Sequence, residues 1–361
     1  MLTAIHLMTH LAPESMSRAR STLVKALYLK RIKSLLKHDP ETVLEKLESL
    51  RTHLCTFPNL RVLVIADLEK LKHPVSSWTP FLKGLDTSQD LNPLGRRLNR
   101  LSHAGQQPGD LAYIVPMPTI DSSFLSATAR GPTTFADPKL PALMVAMSYL
   151  NAVEGPLWVA VRGTGLAYGT TMMYDIESGY VSLDVYRSPD AFRAFEASKN
   201  VVEEFMSGKT RFDELMLEGA VSGIVVAFAN EQQTLAGAAT ASFVRQVMKR
   251  LPDNYQEKML KRVREITVLE IQAALREQVW PMFTPGRADV LVTCAPGLKE
   301  TIKEGLESVG FKPEIRDLEF FQDDYGLKAE EDDDDEEVEE EDEDDEVEED
   351  EDDYEMVEGD A

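Results

Sequence analysis

An α+β fold is what the order of hydrophobic periodicities predicts. Two helical patterns and an apolar run come first, then alternating strands, a long helical block, and a closing strand and helix. A doubly wound sheet would interleave strands and helices throughout; here they are segregated. Length sets the scale, since 361 residues of 43% hydrophobic composition suffice for two ordinary domains.

Taken in order, residues 15–37 place Leu23, Ala26, Leu27, Ile32, Leu35 and Leu36 at helical spacing and stop before Asp39 and Pro40. Residues 41–54 repeat the pattern with Val43, Leu44, Leu47, Leu50 and Leu54. Leu60 to Ala66 is a β-branched run that predicts a buried strand. Residues 83–109, with Gly84, Pro93, Gly95, Gly105, Pro108 and Gly109, read as a linker. Beyond it, 111–115 and 123–129 read as strands, 140–153 as a helix, and 170–186 as a hairpin turning at Glu177, Ser178 and Gly179. Residues 189–280 are helical with breaks near Gly208, Asn230 and Pro252; 288–294 is a strand, 298–309 a helix, and 314–320 a last extended piece. Helix 41–54 precedes the run Val62 to Ile65 as helix 267–280 precedes Val290 to Thr293, an echo that suggests two copies of one unit. On that reading Met1 lies inside a domain whose opening strands are encoded upstream.

The formal net charge is -25, and residues 329–361 hold 25 Asp and Glu with no Lys or Arg, so the body is neutral and the acidity belongs to the tail. So few apolar residues cannot offset chain entropy, and a disordered tail is expected. It reads as a solubilising tether or as a ligand for basic partners. Two cysteines, Cys55 and Cys294, exclude a disulfide framework or a Cys-rich zinc module and point to a reducing compartment; both read as small buried hydrophobes. No stretch approaches the ~20 apolar residues of a membrane span, and Met1 to Ala12 lacks the basic lead-in and cleavage site of a secretory signal. The basic residues of 18–37 suit a solvated helix face or a mitochondrial presequence, so the expected compartment is the cytosol, with the mitochondrial matrix as the alternative.

The chemically richest segment is Arg162 to Gly169. Gly163, Gly165 and Gly169 miss the dinucleotide spacing, because Tyr168 stands where the third glycine belongs, and no Gly-Lys-Ser/Thr follows. What remains is a cation and a phenol six residues apart on glycine-rich backbone, suited to holding a carboxylate or a peptide carbonyl. The alternative is structural: Arg162 ends a helix and pairs with a local carboxylate while Tyr168 packs in the core.

Arg162, Tyr168 and Gly169, the strand-rich run after them, the helical block to Trp280 and the run Asn59 to Ala66 together resemble the C-terminal half of an inverzincin metallopeptidase. That is the pitrilysin, insulysin and presequence protease family, here its presequence protease-like branch, over about residues 15–320. The resemblance implies two inverzincin-type αβ domains: residues 1–82 as the remnant of one truncated at its N-terminus, 83–109 as linker, 110–328 as a complete C-terminal domain, and 329–361 as tail. It also implies a non-catalytic, substrate-gripping half of a zinc-dependent peptidase. Arg162, Tyr168 and Gly169 would be the substrate-binding residues, the phenol helping to stabilise the developing oxyanion. The family's His-x-x-Glu-His is absent, and all six histidines precede residue 104. Zinc and the catalytic residues would therefore belong to the full-length enzyme or to a zinc-bearing N-terminal half or subunit, with none on this chain. The partners are a peptide substrate and that half, with no nucleic acid and no membrane. A catalytically dead peptide- or protein-binding module with an acidic interaction tail is the alternative.

Other candidates carry less. His6 and His10 stand at i and i+4 with Glu14 one turn further, a conceivable metal set if the helix continues. Asp184 and Glu177 flank the hairpin without the spacing of an acid and base pair. Ser122, Ser123 and Ser126 have no downstream histidine and no nucleophile elbow. Met144, Met147, Met172 and Met173 read as core filler. Apart from Tyr28 the basic helix lacks stacking aromatics, which argues against nucleic acid.

Overall fold

The computed structural model describes residues 1–67, 69–94, 101–109 and 111–322; residues 95–100 of the expected linker and the acidic segment 329–361 lie outside the described residues. Residues 1–328 form one unit. Its helices are α1 Leu2–His10, α2 Met16–Ala19, α3 Thr22–His38, α4 Pro40–Leu54, α5 His103–Gln106, α6 Leu140–Leu150, α7 Ala191–Ser207, α8 Glu214–Asn230, α9 Leu235–Phe243, α10 Tyr255–Arg264, α11 Val268–Ala274 and α12 Lys299–Ser308. Its strands are β1 Ala112–Pro116, β2 Ser123–Arg130, β3 Gly169–Asp175, β4 Tyr180–Ser188, β5 Ala288–Cys294 and β6 Glu314–Ile315.

The strands make one mixed sheet in the order β3-β4-β2-β5-β1-β6. β1 runs parallel to β5 and β6, whereas β2 is antiparallel to both β4 and β5. Every side chain of the central β5 is buried, the pattern of a strand covered on both faces. Leu125, Ala127, Val181, Leu183, Val290 and Val292 face the larger core. Helix α6 is buried on nearly all sides within that core, which explains why its sequence is apolar all round. The opposite face of the β1 and β5 end is covered by α1: Ala4, Ile5 and Met8 meet Val115, Leu291 and Phe321.

Local chemistry fixes the helix ends. Asp39, Asp190 and Asp213 cap α4, α7 and α8 by accepting backbone N–H groups, and Thr267 with Glu270 forms a reciprocal capping box on α11. Helix α7 stops at Gly208, whose φ of 78° is the left-handed conformation that ends helices. The β3–β4 turn is closed by Asp175, which accepts from Glu177 N (3.0 Å) and from the Ser178 hydroxyl (2.8 Å). At the outer edge of the sheet, the Asn151 amide donates to Met172 O (2.7 Å) and accepts from Met172 N (2.9 Å), taking both backbone groups at the middle of β3.

Several readings differ from the sequence, among them the extended piece at 314–320, where only Glu314–Ile315 is strand and Leu318–Phe321 is a tight helical turn. The helix expected over 15–37 is broken at Arg20 and Ser21 into α2 and α3. Residues 60–66 form no strand, and Val62, Leu63 and Ile65 are 46%, 41% and 38% exposed. Hydrophobic content supplies a strand's side chains but not the neighbouring ladder it needs. Here Arg61 bonds the Pro58 and Leu60 carbonyls, and Asn92 N bonds Pro58 O, so the segment is held by a loop. The helix-then-strand echo survives only in its second copy, where α11 and the turns after it lead into β5. Finally, Cys55 is exposed at the end of α4; Cys294 is buried, and burial pushes its thiol up to about 11.

Candidate functional site

Arg162 and Tyr168 sit on the connection from α6 to β3. Residues 158–162 form a wide helical turn in which Gly163 N reaches Trp158 O at 2.8 Å and Leu166 N reaches Val161 O at 2.8 Å. Such turns place successive side chains differently from an α-helix and recur at functional sites. Gly163 is required where it stands, because a Cβ would lie 2.7 Å from the Val159 carbonyl oxygen, and Gly165 takes the left-handed φ of 76°. Val161 and Ala167 are buried beneath the loop and anchor it.

From this anchored loop the two side chains project outward. Tyr168 is 61% exposed, and the Arg162 guanidinium carbon lies 4.7 Å from its ring centroid and 6.0 Å from that of Trp158. A guanidinium on a phenol face is a cation–π contact that leaves its edge N–H groups free for a ligand. Tyr168 N donates to Arg187 O at 2.9 Å, tying the loop to the end of β4. Gly169 opens β3 opposite Tyr186, and nothing lies within 4 Å of where its Cβ would be, so its contribution is open space beside Tyr168. The sheet thus brings the sequence-predicted Arg162 and Tyr168 together, with Gly169 adjacent. Tyr168 lies outside the core and Arg162 has no carboxylate partner among the described residues, unlike the paired Arg51, Arg245, Arg262 and Arg316.

Sequence reasoning missed the continuation of this cluster. Tyr186, 51% exposed, meets Tyr168 edge-on at 6.1 Å and Phe124 at 5.4 Å, and the Arg187 guanidinium carbon lies 5.8 Å from the Tyr186 ring. Arg187 has a φ of 50°, left-handed backbone that a non-glycine residue adopts only where its surroundings hold it. The signal was the hairpin register, which pairs Gly169 with Tyr186. Two places along the same face from Tyr186, Asp184 is pushed up by burial and drawn back by the Ser126 hydroxyl. Glu177 lies in the β3–β4 turn at the far end of the hairpin.

The histidines make a second constellation of a different kind. His10 Nε2 donates to Asp289 at 2.8 Å with both side chains buried, and Asp289 also accepts from Gly109 N (2.7 Å) and Leu111 N (3.0 Å). His6 stacks on His10 at 4.2 Å between ring centroids, and the Tyr180 hydroxyl donates to Gly105 O at 2.5 Å beside them. Burial, and then the His10 charge, lower His6 to about 3. These groups do not fit a metal. His10 has its second nitrogen on Thr9 Oγ1 and His6 O, and Leu11 turns to extended backbone, so α1 ends before Glu14, which is exposed. Among the described residues no group of three or more His, Cys, Asp or Glu side chains is placed to hold a metal ion. The zinc that the sequence resemblance implies therefore has no ligand set in the described part of this chain.

A groove of about 490 Å³ between α6, α8 and α11 is lined by Val145, Leu217, Val221, Ile266 and Ile271 with Glu218 and Arg264; neither Arg162 nor Tyr168 borders it. Among the described residues no helix is long and apolar enough to cross a membrane.

No family model matches the chain. It is 29% identical over 297 residues to an uncharacterized protein of Saccharomyces cerevisiae, covering 80% of this chain and 28% of that one. It is 26% identical over 321 residues to an uncharacterized protein of Schizosaccharomyces pombe, covering 88% and 30%. The chain thus spans under a third of the length of the curated relatives it matches. Among solved structures it is similar to a protease from Helicobacter pylori (TM-score 0.48, 10% identity, 61% of this chain and 52% of that one). It is also similar to the peptidase M16 inactive domain from Pseudomonas fluorescens (0.46, 15%, 60% and 48%) and to pitrilysin (0.43, 10%, 67% and 24%).

Proposed function

We propose that this chain is the non-catalytic, peptide-gripping part of a zinc-dependent peptidase, with Arg162 and Tyr168 as the grip and Gly169 as the clearance beside it. One observation carries the reading: an exposed phenol and a guanidinium without a carboxylate partner among the described residues are stacked 4.7 Å apart on a loop anchored in the core. An exposed tyrosine ring held against a guanidinium on an anchored loop supports a ligand role over core packing. The guanidinium edge offers parallel N–H donors to a peptide carbonyl or carboxylate, and the hydroxyl offers one more within the same small volume. Zinc and the bond-breaking step are assigned to a portion outside this chain, and cytosol is the compartment we propose.

The test uses the purified chain and a fluorescent, uncharged, C-terminally amidated peptide followed by anisotropy. Arg162→Ala and Tyr168→Phe are each expected to weaken binding by about tenfold, the worth of one lost hydrogen bond to a charged or preorganised donor. Unchanged affinity in both would return the pair to a structural role. The chain alone is expected to leave a quenched peptide uncut, and chelator-sensitive turnover by it would refute the assignment of zinc elsewhere.

A further inference from the structure

We infer that the grip has a second anion seat, formed by Tyr186 and Arg187, so that among extended peptide segments this site favours those carrying a carboxylate. The inference rests on the peptide-gripping reading and adds the substrate chemistry. Two arginines from different elements, the 158–162 turn and the end of β4, each stand over an exposed tyrosine ring, and the two rings meet edge-on at 6.1 Å. The result is a ladder of cation, phenol, phenol, cation. Neither guanidinium has a carboxylate partner among the described residues, so the ladder of cations and rings, and not the missing counter-ion alone, marks the site. Positive charges gathered without counter-ions on an aromatic floor complement an anion flanked by apolar groups. At ~3.3 Å per residue, about five residues of extended chain span the ladder.

Arg187 is held in place by geometry that serves Tyr168. Its φ of 50° breaks the strand alternation, leaves Tyr186 and Arg187 both exposed, and turns the Arg187 carbonyl toward Tyr168 N at 2.9 Å. Glycine tolerates this conformation without penalty, so Arg187→Gly removes the cation while keeping the carbonyl that anchors Tyr168. Arg187→Lys keeps the charge.

Three labelled peptides of one apolar sequence separate the sources of the carboxylate: one with a central glutamate and an amidated end, one with no acidic residue and a free C-terminus, and one neutral and amidated. With the full chain, Arg187→Gly is expected to weaken the glutamate peptide, the free C-terminus peptide, or both by about tenfold and leave the neutral peptide unchanged. The peptide that responds names the source. Arg187→Lys should restore binding to within about threefold, and added salt should weaken the responding peptide alone. Equal loss for all three peptides, or no loss for any, overturns the second seat. If Arg162→Ala and Tyr168→Phe weaken the neutral peptide while Arg187→Gly spares the charged ones, the grip stands and the seat falls; if the wild-type chain binds none of the three, both fall.

Discussion

Replacing His10 by alanine tests how the amino-terminal helix is fastened to the sheet. His10 and Asp289 are 0% and 1% exposed and meet at 2.8 Å, so the substitution leaves a buried carboxylate without its imidazole. Removing one partner of a buried pair costs about 3–5 kcal/mol, because the remaining charge stays desolvated. Asp289 keeps the Gly109 and Leu111 N–H groups, which places the loss near the lower end, about 3 kcal/mol. At about 2–4 °C per kcal/mol for a body of this size, the melting temperature should fall by about 6–12 °C. Urea unfolding followed by circular dichroism gives the free energy directly. His10→Ala combined with Asp289→Ala should cost less than the two singles added, the sign of coupled neighbours. A loss under about 1 kcal/mol for His10→Ala, with additive singles, would refute the account of α1 as clamped by this pair.

The titration of His6 and the close backbone approach at Gly163 each carry a measurable consequence. His6 is lowered to about 3 in the folded chain against an ordinary value of 6.5, so the unfolded chain binds the extra proton first. Its contribution to stability is therefore complete above about pH 6.5 and declines by up to about 1.4 kcal/mol per pH unit as the pH falls toward 3. His6→Gln should flatten that part of the stability–pH curve, and an unchanged slope would show that other groups cause it. Gly163→Ala forces a Cβ to 2.7 Å from the Val159 carbonyl oxygen, while Gly169→Ala meets nothing within 4 Å. Thermal melts should thus show a loss of about 1–3 kcal/mol for the first and under about 0.5 kcal/mol for the second, and equal effects would contradict the wide-turn geometry.

The strands and helices after residue 110 were legible because their periods are set by which face meets the core: the hairpin alternation, the apolar β5 and the all-round apolar α6 each report burial directly. The run at 60–66 misled for the same reason. Its composition matches β5, yet a strand exists only when a neighbour accepts and donates along its length, and no sequence window contains that neighbour. Arg162 and Tyr168 could be singled out because one short segment carries both. Tyr186 and Arg187 required the register, and the His10–Asp289 pair joins residues 279 positions apart that no local pattern connects. The His6, His10 and Glu14 triad failed on one backbone turn at Leu11, which ends the helix four residues early for a metal.

An outermost strand is a standing invitation to polymerise, since its free N–H and C=O groups template any extended chain that drifts past. Asn151 withdraws that invitation at the centre of β3 by imitating, with one amide, the two bonds a visiting strand would make to Met172. At this border one side chain occupies the bonds a visiting strand would take, and exchanging it for one without an amide would leave the backbone of Met172 open at the edge.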